Sequence, residues 1–185
     1  MRPHVRRLPA ALLLIVAVAG CTAEAPPVPT TVPSTAGPTP TARLADPNLV
    51  TMQGLRGISI GATKDELVAA GMVEPSGPCG PVFPSIPNAS PVFDGDTLVL
   101  IWAHAPLRTP ERISVGSTLD EARLAYPSAI ELTRPPGATD YPGLLVTGET
   151  DRAILLLHDG TSVQKLIVGY ESYARRLFDT RFGAC

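Results

Sequence analysis

Ile58-Ser59-Ile60-Gly61-Ala62-Thr63-Lys64-Asp65-Glu66-Leu67 is written a second time 55 residues later, as Ile113-Ser114-Val115-Gly116-Ser117-Thr118-Leu119-Asp120-Glu121-Ala122. Ile, Ser, Gly, Thr, Asp and Glu fall at matching places. Alternation of Ile58 and Ile60 with Ser59, and of Ile113 and Val115 with Ser114, predicts two short half-buried strands. Gly61 and Gly116 then permit a sharp turn at positive φ. Thr63 and Thr118 are helix N-caps, and Glu66 and Glu121 three residues on complete the Thr-x-x-Glu capping box twice. Asp65 and Asp120 sit in the first turn, where the helix dipole favours negative charge. Capping accounts for both Asp-Glu pairs, so they read as structural rather than as catalytic carboxylates. The first helix is expected to end near Gly71 and the second before Pro127, since the residue ahead of a proline is disfavoured in helical geometry.

Outward from these units the chain reads as sheet. The apolar runs Asp96 to Ala103, Ala153 to His158 and Val163 to Gly169 predict strong strands, and Leu144 to Thr147 a weaker one. Asp159-Gly160 is a hairpin turn. Pro-rich loops are expected over Pro75–Pro91 and Pro135–Pro142. The fold class is α+β: two divergent strand-turn-helix-sheet repeats, over about 55–105 and 110–185, with short helices packed on one face of an antiparallel sheet.

The repeated unit Ile-x-Ile-Gly-x-Thr-x-x-Glu resembles the β-lactamase inhibitor protein family. It is also similar to the small lipoprotein of the outer-membrane barrel-assembly machine. Those families carry Gly-Met-Thr before the first helix, where this chain has Gly61-Ala62-Thr63 and Gly116-Ser117-Thr118. The resemblance implies a protein-binding module displayed outside the cytoplasm. It carries over no inhibitory residue.

Upstream, Arg2, Arg6 and Arg7 precede a small and aliphatic run from Leu8 to Gly20. A basic start followed by a short apolar stretch is the layout of a signal peptide, and the run is shorter than the ~20 residues that span a bilayer. Val18-Ala19-Gly20-Cys21 resembles the lipobox of bacterial lipoproteins. That resemblance implies cleavage before Cys21 and acylation of its thiol, with membrane lipid as the first partner. Two or three acyl chains anchor stably at about 0.8 kcal/mol per buried methylene. Residues 22–47 alternate proline with Thr, Ala and Ser and carry almost no large apolar side chains, so they read as a disordered, extended tether. The expected organisation is therefore signal peptide 1–20, lipidated cysteine and tether 21–47, and one domain 48–185, held on the extracytoplasmic face of the cell membrane.

Fifteen Lys and Arg stand against seventeen Asp and Glu. Without Arg2, Arg6 and Arg7 the balance is near −5, which offers no electrostatic attraction to nucleic acid. Cys79 and Cys185 are left after Cys21, and two cysteines in an exported domain read most simply as one disulfide. In the chain-entropy model a loop of about 100 residues contributes up to about 4.7 kcal/mol. The alternative is two free thiols.

Little in the sequence points to catalysis or a cofactor. His104 and His158 stand apart, and adjacent His158 and Asp159 would face opposite sides of a strand. No metal-ligand spacing or Gly-rich phosphate loop occurs. Trp102, Phe178 and Phe182 read as core. Tyr170, Tyr173, Arg175 and Arg176 form the candidate binding patch, because Tyr and Arg dominate protein-binding hot spots. The first functional expectation is a non-catalytic module binding an envelope protein. The second is a carrier or sensor of a small apolar ligand, with a pocket between helices and sheet. The third is an envelope hydrolase using His104 or His158.

Overall fold

The computed structural model describes residues 46–76, 80–134 and 140–183. The chain divides into two units, Met1–Ala42 and Arg43–Cys185, and every described residue belongs to the second. Three short strands come first: β1 (Val50–Thr51), β2 (Gly54–Leu55) and β3 (Ile58–Ser59), which pair as an antiparallel meander. Next are α1 (Lys64–Ala69), β4 (Ala89–Asp94), β5 (Thr97–Ala103), α2 (Leu119–Ala125) and β6 (Ile130–Leu132). The chain then runs through β7 (Gly143–Thr147), β8 (Arg152–His158), β9 (Val163–Tyr170) and α3 (Glu171–Thr180). The last six strands form one antiparallel sheet in the order β4-β5-β9-β8-β7-β6.

The sheet is covered on both faces. Along β8, Ile154 and Leu156 enter one core with Leu67 of α1 and Leu119 and Ala122 of α2. Ala153, Leu155 and Leu157 enter the other, with Ala174, Leu177 and Phe178 of α3. This is why β5, β8 and β9 read as unbroken apolar runs: alternate side chains leave opposite faces, and both faces are dry. Each fully buried Leu or Ile contributes roughly 1.5–3 kcal/mol by transfer from water. The expectation of helices on one face is thus corrected. α1 and α2 share a face and α3 lies on the other.

Two further expectations are corrected, and one helix is not announced by the sequence: α3 begins directly at the end of β9, within Tyr170–Arg176. The proline-rich loop ends early, because β4 begins at Ala89 and carries Pro91. The strand predicted over 113–115 is not formed. There Ile113 donates its N–H to the Thr109 hydroxyl (3.2 Å) and accepts from the Thr109 N–H (2.9 Å), closing a tight turn through Arg112 at φ 70°.

The two segments nevertheless share their local geometry closely. Gly61 and Gly116 have φ of 96° and 95°. Thr63 and Thr118 both close reciprocal capping boxes, with Glu66 and Glu121 carboxylates accepting their N–H groups at 2.9 and 2.8 Å. Each cap docks on the start of a strand. Gly61 N–H and Leu98 N–H exchange bonds with Leu98 and Ala62 carbonyls (2.8 and 3.0 Å). Gly116 and Val163 do the same with Val163 and Ser117 (2.8 Å each). Lys64 N–H reaches the Asp96 carbonyl, and Leu119 N–H the Thr161 carbonyl, both at 2.8 Å. The hairpins so capped correspond residue by residue: Phe93-Asp94-Gly95 with His158-Asp159-Gly160, each followed by a bulge early in its second strand. Between helix and hairpin, the described residues of the first segment make the antiparallel bridge Glu74 to Val82, where the second makes the β6–β7 pair.

Candidate functional site

β9 passes close beside β5 at Gly169 (φ 150°), where a Cβ would lie 2.2 Å from the Val99 carbonyl oxygen. The next residue, Tyr170, is the N-cap of α3 and makes no side-chain capping bond. Its helix is capped instead from the β7–β8 turn. The Asp151 carbonyl accepts from Glu171 N–H (3.2 Å), and its carboxylate accepts from Ser172 N–H (3.4 Å) and hydroxyl (3.3 Å). Thr150 and Asp151 sit at φ 60° and 55°, the paired left-handed residues of a tight hairpin turn.

This start of α3 builds a row of three rings with a guanidinium at each end. Tyr170 and Tyr173 centroids are 6.2 Å apart, and those of Tyr173 and Phe182 are 5.6 Å apart. The Arg152 guanidinium lies 3.9 Å over Tyr170, and that of Arg176 lies 4.1 Å over Phe182. The rings are half-buried. Asp94, the last residue of β4, ties the row together: it accepts from the Tyr173 hydroxyl at 2.7 Å and lies 3.7 Å from Arg176. That hydrogen bond to Asp94 pushes the Tyr173 phenol up from its ordinary value, so it stays a neutral donor. Arg152 also donates to the Ile60 carbonyl (3.3 Å) and the Thr150 carbonyl (3.4 Å), which holds it in place.

Of the predicted patch, the row joins Tyr170, Tyr173 and Arg176. Arg175 pairs instead with Glu171 one turn back, at 2.9 Å. Arg152, Phe182 and Asp94 were missed as members. They come from β8, the segment after α3 and the last position of β4, and no local pattern links residues so far apart. Phe182, read as core, is half-buried, as is Trp102, while Phe178 is buried.

A second feature lies at α2. An open groove of about 360 Å³ is lined by Glu111, Arg112, Ile113, Ser117, Glu121, Leu124 and Ala125. Leu124 is 85% exposed. At the groove's edge the buried Tyr126 hydroxyl donates to Glu111 and reaches Thr109 Oγ1 at 2.7 Å. Burial, then the bond to Glu111, pushes that phenol strongly up. The groove is formed by the helix and the loop before it, so it differs from the pocket between helices and sheet expected for an apolar-ligand carrier.

His104 lies exposed beyond the end of β5, and His158 is buried at the end of β8. Among the described residues no group of His, Cys, Asp and Glu is arranged to hold a metal ion, and no helix is long and apolar enough to cross a membrane. Cys21, Cys79 and Cys185 lie outside the described residues. No family model, no curated protein and no solved structure matches the chain.

Proposed function

We propose that this chain is a lipoprotein held on the outer face of a membrane by acyl chains on Cys21, and that its domain is a non-catalytic module binding a protein of the cell envelope. The observation that carries the binding reading is the row Arg152–Tyr170–Tyr173–Phe182–Arg176. Half-exposed Tyr rings flanked by Arg are the chemistry of interface hot spots, and held rings lose little entropy on binding. Asp94 adds an acceptor at the row's centre.

The test is crosslinking in intact cells followed by affinity purification. Tyr173→Ala and Arg176→Ala remove contacts from the row while sparing Tyr170, which packs against both cores. One abundant envelope partner, lost in both variants and kept in Arg175→Ala, supports the reading. A partner retained by both variants moves the interface elsewhere. Anchoring is tested separately: Cys21→Ser is expected to leave the chain uncut and free of lipid. A Cys79–Cys185 disulfide is part of the same exported picture, checked by a thiol count with and without reductant.

We also propose that the domain arose by duplication of a helix-and-hairpin unit. In the β5–β9 pairing, Trp102 opposes Ile167, with Leu100 opposite Gly169 and Ala103 opposite Leu166. Superposing Phe93-Asp94-Gly95 on His158-Asp159-Gly160 equates Trp102 with Ile167 itself. The two hairpins are then related by an approximate two-fold axis through that pair.

The α2 groove supports a second reading, capture of a small ligand. Arg112 holds a left-handed conformation at the position where the first segment has Gly57 at φ 81°. Backbone strain in a non-glycine residue concentrates at binding sites. Leu124 lies exposed on the same groove, where the corresponding residue is Ala69.

A further inference from the structure

His158 is 4% exposed, and its Nε2 has no hydrogen-bond partner among the described residues. Its Nδ1 accepts the Gly160 N–H at 3.2 Å. An accepting Nδ1 places the neutral ring's proton on Nε2. Among the described residues that buried N–H has no acceptor, which penalises burial of the ring. Packing alone does not call for it, because the corresponding residue of the other hairpin is Phe93, a ring without polar atoms ahead of the same Asp-Gly.

The turn that this ring closes also holds α2. Asp159 Oδ1 accepts from Thr161 and Ser162 N–H, both at 2.8 Å. The Thr161 carbonyl receives Leu119 N–H and the Val163 carbonyl receives Gly116 N–H, each at 2.8 Å. The charged groups around the ring are Glu131 on β6, Arg123 on α2 and Asp159 in the turn itself. Arg123 and Glu131 form an ion pair at 2.9 Å. Glu131 and Asp159 favour an imidazolium and Arg123 opposes it, but burial outweighs all three and lowers the ring's affinity for a proton below the ordinary value of 6.5.

A proton taken from solvent enters at Nδ1. Two donors, Nδ1–H and Gly160 N–H, then face each other, and a buried cation holds two unaccepted protons. Both are relieved when the ring turns out toward the Glu131 and Asp159 carboxylates, which opens the turn. We propose that His158 is the trigger of an acid-released latch: its protonation frees the Asp159–Gly160 turn and with it the docked N-terminus of α2, loosening the wall of the α2 groove. Use of such a latch in the envelope rests on the extracytoplasmic placement proposed above; the latch itself does not. The sign follows from the lowered proton affinity. The unfolded chain binds the proton more readily, so stability is full above about pH 6.5 and falls as pH drops below it.

The test is amide exchange on the full chain between pH 7.5 and pH 5, corrected for intrinsic rates, in wild type and His158→Phe. In wild type the protection of Gly116, Leu119, Gly160 and Val163 is expected to fall about tenfold or more, with Ile167 and Val168 changing far less. His158→Phe, which copies Phe93, should abolish that local fall. An unchanged wild type, or the same fall in His158→Phe, overturns the latch. Imidazole ¹⁵N shifts of the wild-type chain give a second readout that needs no variant. A neutral Nε2–H ring that persists below pH 6.5, and protonates together with the loss of amide protection, supports the proposal. Protonation without that loss overturns it.

Discussion

Gly61 and Gly116 occupy the same conformation, φ 96° and 95°, but not the same surroundings. A Cβ on Gly116 would meet nothing within 4 Å, whereas one on Gly61 would lie 2.8 Å from the Tyr170 hydroxyl. Alanine in the left-handed region costs about 1–2 kcal/mol. Its smaller unfolded-state entropy returns about 0.4–1 kcal/mol. Gly116→Ala is therefore expected to destabilise by about 1 kcal/mol. Gly61→Ala adds a contact that must be relieved by moving a ring held under Arg152 and against Tyr173. Overpacking of this kind costs about 1–3 kcal/mol, and the low end applies because the clash is with the far end of a side chain. Gly61→Ala should thus cost about 2 kcal/mol. In a Tyr170→Phe background the hydroxyl is gone, and the two alanine variants should become equal. The assay is urea unfolding followed by the fluorescence of Trp102, the chain's single tryptophan. Equal effects in the wild-type background, or an excess at Gly61 that survives Tyr170→Phe, would refute the placement of Tyr170 at the first turn.

Phe178→Ala removes the ring that α3 buries in the second core and should cost about 3–5 kcal/mol in the same assay; a loss below 1 kcal/mol would mean that α3 is not part of the cooperative unit. Thr118→Ala removes the second N-cap hydroxyl and should cost about 1 kcal/mol, with Thr63→Ala similar. Both caps make stability pH-dependent, because the Thr63 and Thr118 N–H and hydroxyl groups lower the Glu66 and Glu121 carboxyls from 4.5. That contribution is present above pH 4.5 and lost as pH falls through the lowered values; acid titration of Glu66→Gln/Glu121→Gln should show a shallower loss than wild type. Tyr126→Phe leaves the Glu111 carboxylate and the buried Thr109 hydroxyl each short of a partner and should cost about 1–2 kcal/mol by denaturant melt.

The parts legible in the sequence were those governed by local rules. The capping boxes appear as read because an N-cap and its N3 carboxylate are three residues apart wherever they fold. The strands β5, β8 and β9 were legible because central strands must be apolar on both sides. α3 was missed although Ala174, Leu177 and Phe178 have helical spacing, since its capping group is Asp151 on another hairpin and nothing at Tyr170 marks a helix start. β4 was hidden by Pro91. It lies at the sheet's edge, paired only with β5, where a missing N–H costs no second ladder bond. The matching Asp-Gly pairs stand 65 residues apart and the matching caps 55, because the stretch from cap to turn is longer in the second segment. The row of rings was half legible: Tyr170, Tyr173 and Arg176 follow one another in sequence, while Arg152, Asp94 and Phe182 reach it only through the fold.

On the duplication reading, the corresponding positions that differ are where selection has acted on one unit and not the other. The two Asp-Gly turns make the case. Asp159 spends its carboxylate inside its own turn, on Thr161 and Ser162 N–H. Asp94 is the same residue in the same place, yet its carboxylate receives Tyr173 and stands by Arg176. The difference is α3, which follows only the second hairpin, crosses the face away from α1 and α2, and brings its first turn to the first hairpin. One residue earlier, Phe93 supplies plain packing where His158 introduces a buried titratable ring. On that proposal the scaffold is common to both units, and the differences lie in what departs from it. Asp94→Asn should weaken the row and spare the latch, His158→Phe should do the reverse, and neither should move the capping geometry that the two units share.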